Sequence, residues 1–106
     1  MLWIAQRATA VVLAVCVAVH LVTIIYAVRN GLSAAEILGR TRGNLAWAVF
    51  YAVFVLSAAL HGAIGLRTVA SEWLRLRGDV LEVAMTLVGL ALTILGLRAV
   101  YAVFAA

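Results

Sequence analysis

ATAVVLAVCVAVHLVTIIYAV, residues 8–28, decides the fold, because these 21 consecutive residues include no acidic or basic side chain other than one histidine. A helix needs about 20 apolar residues to cross the hydrocarbon core of a bilayer, and it satisfies its own backbone hydrogen bonds there. Two similar runs follow at residues 45–66 and 83–106, the last interrupted only by Arg98. The sequence therefore predicts an all-α membrane protein with three transmembrane helices, at approximately residues 5–28, 45–67 and 80–104.

Composition supports a single membrane-anchor domain over residues 1–106. The chain is 68% hydrophobic and 11% charged, and a chain this short cannot bury so much apolar surface in its own core. These values exclude a soluble globular domain and a disordered tail. The net charge of +4 comes from arginines placed between apolar runs, where they meet lipid headgroups rather than nucleic acid. Four arginines fall on each side, so the charges alone leave the topology open.

The two connectors carry helix-capping signals. Ser33 and Glu36 form the pattern of a capping box, which predicts a short interfacial helix that ends at Gly39. Asp79 and Glu82 are placed to cap the third transmembrane helix.

His20 and His61 are the candidate functional residues, because an ionisable side chain inside the membrane is costly and marks a site by default. The alternative is a histidine that only bonds a neighbouring helix. His61 shares a helix face with aromatic and small residues, a pattern that predicts a wall against a flat, mostly apolar cofactor. On that face we expect Gly65 to leave room for the rim of a macrocycle and Ser57 to orient the His61 ring.

Helical spacing predicts that one chain cannot clamp a metal between both histidines. If Arg7 and Arg67 lie at the same depth, His20 and His61 are offset by ~10 Å along the helix axes. Two axial nitrogens on one metal are only ~4 Å apart. Each histidine should therefore pair with a ligand from another chain, which makes this protein part of a multi-subunit helical bundle. The third helix presents a small-residue packing face: Glu82, Thr86, Gly89, Thr93 and Gly96.

HGAIGLRTVASEW, residues 61–73, resembles the signature of the cytochrome b membrane-anchor subunit of succinate dehydrogenase and fumarate reductase. That family carries a histidine, a glycine four positions later, an arginine six later and an acidic residue eleven later. This chain matches in order and spacing at His61, Gly65, Arg67 and Glu72. QRATA, residues 6–10, is similar to the family's His-Arg-x-Ser/Thr-Gly motif on the first helix.

The resemblance implies a haem b- and quinone-binding subunit that anchors an iron–sulfur subunit and an FAD flavoprotein subunit to the membrane. His61 would be an axial haem ligand, and Arg67 would neutralise haem propionates. Arg7 would lie at the quinone pocket, with Gln6 and Trp3 at positions where the family has a histidine and a serine. The resemblance further implies a second membrane-anchor chain and the inner membrane of a prokaryote, with the N-terminus cytoplasmic.

His20 is absent from single-haem members of that family but resembles the outer-leaflet ligand of two-haem members, so one or two haems per complex are expected. Three alternatives stay open at the level of sequence. They are a cofactor-free structural or assembly subunit, a membrane cytochrome b that serves another dehydrogenase, and a small transporter or metal carrier that uses His20 and His61 as a relay.

Overall fold

The computed structural model describes residues 2–106 as four α-helices joined by short connectors. Three of the helices are long and apolar enough to cross a membrane, as the sequence predicts. The helices are α1 (Leu2–Arg29), α2 (Ala34–Thr41), α3 (Leu45–Trp73) and α4 (Gly78–Ala105). The long helices extend past the predicted spans at every boundary except the start of α3. At ~1.5 Å per residue they exceed the ~30 Å hydrocarbon core, so their ends reach the headgroup regions.

The first connector folds as its capping signals predict, with one difference. The Ser33 hydroxyl accepts a hydrogen bond from the Glu36 backbone, and the Glu36 carboxylate accepts one from the Ser33 N–H, which completes the capping box. The predicted end at Gly39 is wrong, because α2 continues to Thr41 and the chain turns at Gly43, which has a φ of +64°. Gly43 adopts the left-handed conformation that glycine tolerates best.

The predicted cap of the third transmembrane helix is also wrong. Helix α4 begins at Gly78, after Arg77 in the N-cap position, with no side-chain hydrogen bond to the helix start. Asp79 lies in the first turn, where its charge suits the helix dipole. The Glu82 carboxylate instead accepts a hydrogen bond from Arg67 on α3. Glu82 therefore bonds a neighbouring helix and does not cap its own.

Helix α3 lies between α1 and α4 and contacts both. Its contact with α4 uses small residues, as predicted for that face: Gly89 lies against Ala63, and a side chain at Gly96 would overlap Val55. Close backbone approach of this kind stabilises helix pairs in lipid, where no hydrophobic effect drives helices together. The position of α3 is therefore set from both sides.

Many large apolar side chains remain exposed on the outer faces of the three long helices. In a membrane such surfaces are covered by lipid or by the helices of other chains. On α1 the buried residues are Thr9 and Cys16, and at 100° per residue they share one helix face with Leu13, His20 and Thr23. That face packs on α3, and it positions both histidine sites.

Candidate cofactor site

His61 lies on α3 at the contact with α1, where it meets Thr9. The Nδ1 atom of the His61 ring is 3.1 Å from the Thr9 hydroxyl oxygen. Thr9 is only 7% exposed, and His61 is half-buried. The hydrogen bond joins residues 52 positions apart in sequence and fixes the register of the two helices.

The surroundings of Thr9 indicate which nitrogen of His61 carries the proton. The Thr9 hydroxyl donates to helix carbonyls, at 2.8 Å from Ala5 and 3.1 Å from Gln6. A hydroxyl has one hydrogen but two lone pairs. With that hydrogen on the Ala5 carbonyl, the nearest acceptor, Oγ1 is the acceptor for an Nδ1–H of His61. That tautomer places the lone pair of the neutral imidazole on Nε2, the form in which histidine ligates a metal.

The predicted partners of His61 on its own helix fare differently. The hydrogen-bond partner of the ring is Thr9 on α1 and not Ser57, because the α1 hydroxyl lies beside the ring. A Cβ added at Gly65 would lie 3.5 Å from the side-chain amide nitrogen of Gln6. The Gln6 side chain thus occupies the near side of Gly65, and the room for a macrocycle rim stays a prediction.

Charged side chains gather at the same end of the bundle. Arg67 donates from Nε and Nη2 to one carboxylate oxygen of Glu82, at 3.1 and 2.6 Å. The pair is partly exposed, with side-chain exposures of 36% and 60%. Arg7 lies over the Trp3 ring at 5.4 Å from its centroid. The side-chain amide oxygen of Gln6, Oε1, is buried and has no hydrogen-bond partner among the described residues.

His20 lies on α1 in an aromatic setting towards the other end. Its Nδ1 is 3.3 Å from the Tyr51 hydroxyl, and its ring meets Tyr51 and Phe54 edge-on, each at 5.7 Å between centroids. Trp47 stacks on Tyr51. The sequence pattern missed Tyr51, although its hydroxyl at membrane depth and its place beside Phe50 on α3 were available signals.

A cavity of ≈ 590 Å³ opens beside His20, between α1, α2 and α3. Its lining is mostly apolar, with polar groups from Thr23, Arg40, Thr41 and Asn44. The Arg40 guanidinium lies over the Tyr26 ring at 5.3 Å. A concave apolar space with a few convergent polar groups is typical of a ligand site.

The two histidines are further apart along the helix axes than the ~10 Å expected from the sequence. His61 pairs with Thr9, and His20 pairs with Tyr51. Ten residues of α3 separate His61 from Tyr51, which is ~15 Å at 1.5 Å per residue. The estimate assumed equal depth for Arg7 and Arg67, but this antiparallel register places Arg7 opposite residues 63–64. The conclusion that one chain does not clamp a single metal with both rings is strengthened.

Within residues 2–106 no three His, Cys, Asp or Glu side chains are close enough to form a metal-binding group. Cys16 is buried with a free thiol.

The chain matches the model of one known protein family. The model of the family described as "Succinate dehydrogenase/Fumarate reductase transmembrane subunit" matches residues 1–97. No curated protein and no solved structure matches. The matched range contains both histidines and the charged end of the bundle that carries Arg7 and Arg67.

Proposed function

We propose that this chain, which belongs to the succinate dehydrogenase/fumarate reductase transmembrane subunit family, is a haem b- and quinone-binding anchor in such an oxidoreductase complex. The observation that carries the proposal is the His61 ring. Its Nδ1 is held by Thr9 on a neighbouring helix, and this leaves Nε2 as a lone-pair donor within the membrane. A ligand histidine with its second nitrogen hydrogen-bonded is the usual arrangement at protein metal sites.

His61 would then hold haem b, together with a residue of another anchor chain. Bound haem supplies a one-electron carrier whose potential depends on axial ligation, burial and nearby charge. Arg67 contributes the positive charge: Glu82 engages one side of its guanidinium, and the remaining N–H groups can donate to propionates.

The quinone site is proposed beside this haem site, at Arg7, Gln6 and Trp3. The support is the side-chain oxygen of Gln6, Oε1, which is buried and has no partner among the described residues. Such an unpaired acceptor is costly unless a ligand satisfies it, and a quinol hydroxyl can donate to it. Arg7, held over Trp3, can donate to a quinone carbonyl oxygen.

A second haem is proposed at His20. The support is the cavity of ≈ 590 Å³ that His20 lines together with Arg40, since an apolar space with a cationic rim suits a macrocycle that carries carboxylates. The Tyr51 hydroxyl, 3.3 Å from Nδ1, would orient the His20 ring in the way that Thr9 orients His61.

The partners in the proposal are an iron–sulfur subunit, an FAD flavoprotein subunit and a second anchor chain. The soluble partners dock at the Arg7 and Arg67 end, which we place on the cytoplasmic side of a prokaryotic inner membrane. Membership of an oxidoreductase complex follows from the family; the transfer of electrons to quinone by way of this subunit is the proposed activity.

The proposal is tested on the isolated complex by reduction with succinate under anaerobic conditions, followed in the visible spectrum. We expect a b-type haem signal that succinate or dithionite reduces, and the loss of one b-type haem from the complex that carries His61→Ala. A complex with its flavoprotein and iron–sulfur chains present but no Soret band would overturn the haem assignment. It would favour the cofactor-free anchor instead.

A further inference from the structure

Among the described residues, Thr9 is the polar residue that is buried. It contacts the ring of the proposed haem ligand. We propose that Thr9 is the positioning residue of the His61 site: its hydroxyl oxygen accepts from Nδ1–H, fixes the tautomer and turns Nε2 towards the iron. This inference rests on the proposed function, because it requires that His61 ligates haem. It assigns a role to a side chain on α1, away from the His61 motif on α3.

The geometry of Thr9 explains why its hydroxyl oxygen acts as an acceptor here. Two carbonyl oxygens of its own helix lie within hydrogen-bond distance of Oγ1, at 2.8 and 3.1 Å, and either can accept the hydroxyl hydrogen. The Nδ1 atom of His61 is a third neighbour at 3.1 Å. When the hydroxyl hydrogen is donated to a helix carbonyl, the bond to the ring must have Nδ1–H of His61 as its donor. Burial of Thr9 strengthens the preference, since water cannot satisfy a misplaced proton.

The bond also orients the ring with respect to two helices at once. His61 belongs to α3, whereas Thr9 belongs to α1, so rotation of the imidazole about its side-chain torsions would break a contact between helices. A partner on the ring's own helix could not provide this restraint on the α1–α3 register. The site is therefore pre-organised by helix packing as well as by the ligand's own backbone.

A hydrogen bond to the second ring nitrogen of a metal-ligating histidine makes the imidazole more basic, and its loss weakens metal binding about 10–100-fold. A more basic ligand stabilises ferric haem over ferrous haem. Removing the Thr9 hydroxyl should therefore raise the haem midpoint potential. Each tenfold loss of ferric relative to ferrous affinity corresponds to a rise of ~59 mV for a one-electron couple.

The test compares Thr9→Val, Thr9→Ala and Thr9→Ser in the isolated complex, by redox titration of the haem and by haem content per complex. We expect Thr9→Val and Thr9→Ala to raise the midpoint potential and to release haem more readily, whereas Thr9→Ser keeps values close to those of the unmodified complex. Serine and alanine differ by the hydroxyl alone, so this pair keeps the test decisive if valine disturbs assembly.

Thr93→Val is the matched control, because the Thr93 hydroxyl donates to Gly89 within its own helix on α4. Its haem potential should stay unchanged. Equal potentials for Thr9→Ser and Thr9→Ala would overturn the role of Thr9 while leaving the haem at His61 intact. Retention of every haem in His61→Leu would instead overturn the proposed function on which the inference rests.

Discussion

The His61 and His20 regions place the same side chain in two different environments. At His61 the ring nitrogen bonds a buried hydroxyl whose hydrogen is already used, and an ion pair lies at the same end of the bundle. At His20 the ring is surrounded by aromatic side chains and meets a phenol at 3.3 Å. A tyrosine hydroxyl donates or accepts, so this contact leaves the tautomer of His20 unassigned.

This difference shows how two sites on one α1–α3 contact acquire different properties. The His61 region combines a ring bonded to a buried hydroxyl with an ion pair at the same end of the bundle, which suits the proposed role of a ligand whose potential must be set. The His20 region combines a cavity with a mostly apolar wall, where binding depends on shape and burial.

Replacing each histidine by leucine gives the largest effect. In the isolated complex His61→Leu should remove the haem at the charged end, whereas His20→Leu should remove only a second haem and leave the first with its spectrum. Reduced-minus-oxidised spectra of both variants measure this directly. If His20→Leu abolished all haem and His61→Leu none, the assignment of the two regions would be reversed.

The two regions share one support, the close packing of α3 on α4 at Gly96. Gly96→Val should destabilise the chain by about 1–3 kcal/mol, because the added side chain overlaps Val55. Val55 lies between Tyr51 and His61 on α3, so both sites should loosen together. Thermal unfolding of the isolated complex measures the effect. Gly39→Ala on α2, where nothing lies within 4 Å, is the control; an equal loss there would contradict the packing argument.

The Arg67–Glu82 pair tests whether charge distinguishes the His61 region. Because the pair is partly exposed, its contribution to stability should be modest, up to about 1 kcal/mol. Its effect on the haem should be clearer: Arg67→Gln removes a positive charge and should lower the midpoint potential, whereas Glu82→Gln should raise it. Redox titration of the two variants checks the opposite signs, and shifts of the same sign would remove Arg67 from the site.

The smallest effect is expected at Tyr51. Tyr51→Phe keeps the ring and removes the hydroxyl near His20, and such bonds between membrane helices average about 0.6 kcal/mol. Tyr101→Phe, at an exposed position on α4, should change nothing. Urea or thermal unfolding of paired samples compares them. A loss of several kcal/mol for Tyr51→Phe would mean that the phenol, rather than aromatic packing, holds His20.

Much of the fold was predictable because apolar length is a strong signal. The three long helices and the capping box at Ser33 and Glu36 follow from local sequence alone. The end of α2 did not, since Gly39 fits within the helix and the left-handed turn falls at Gly43. Nor did the start of α4, because Glu82 finds its partner in Arg67 across the bundle.

The site was predictable in its ligand candidates but not in their partners. His20 and His61 stand out because ionisable residues are rare within membranes. Which hydroxyl faces His61 depends on the register of α1 against α3, and a shift of a few residues changes the neighbour. Sequence spacing along α3 favoured Ser57, one turn away, whereas the contact across the interface belongs to Thr9.

The most direct test of the central claim, that His61 holds a haem within the membrane, is native mass spectrometry of the intact complex. The unmodified complex should carry haem that is absent from, or reduced by one in, the complex with His61→Leu, while the flavoprotein, iron–sulfur and anchor chains remain. Identical haem counts in the two complexes, or no haem in either, would contradict the account.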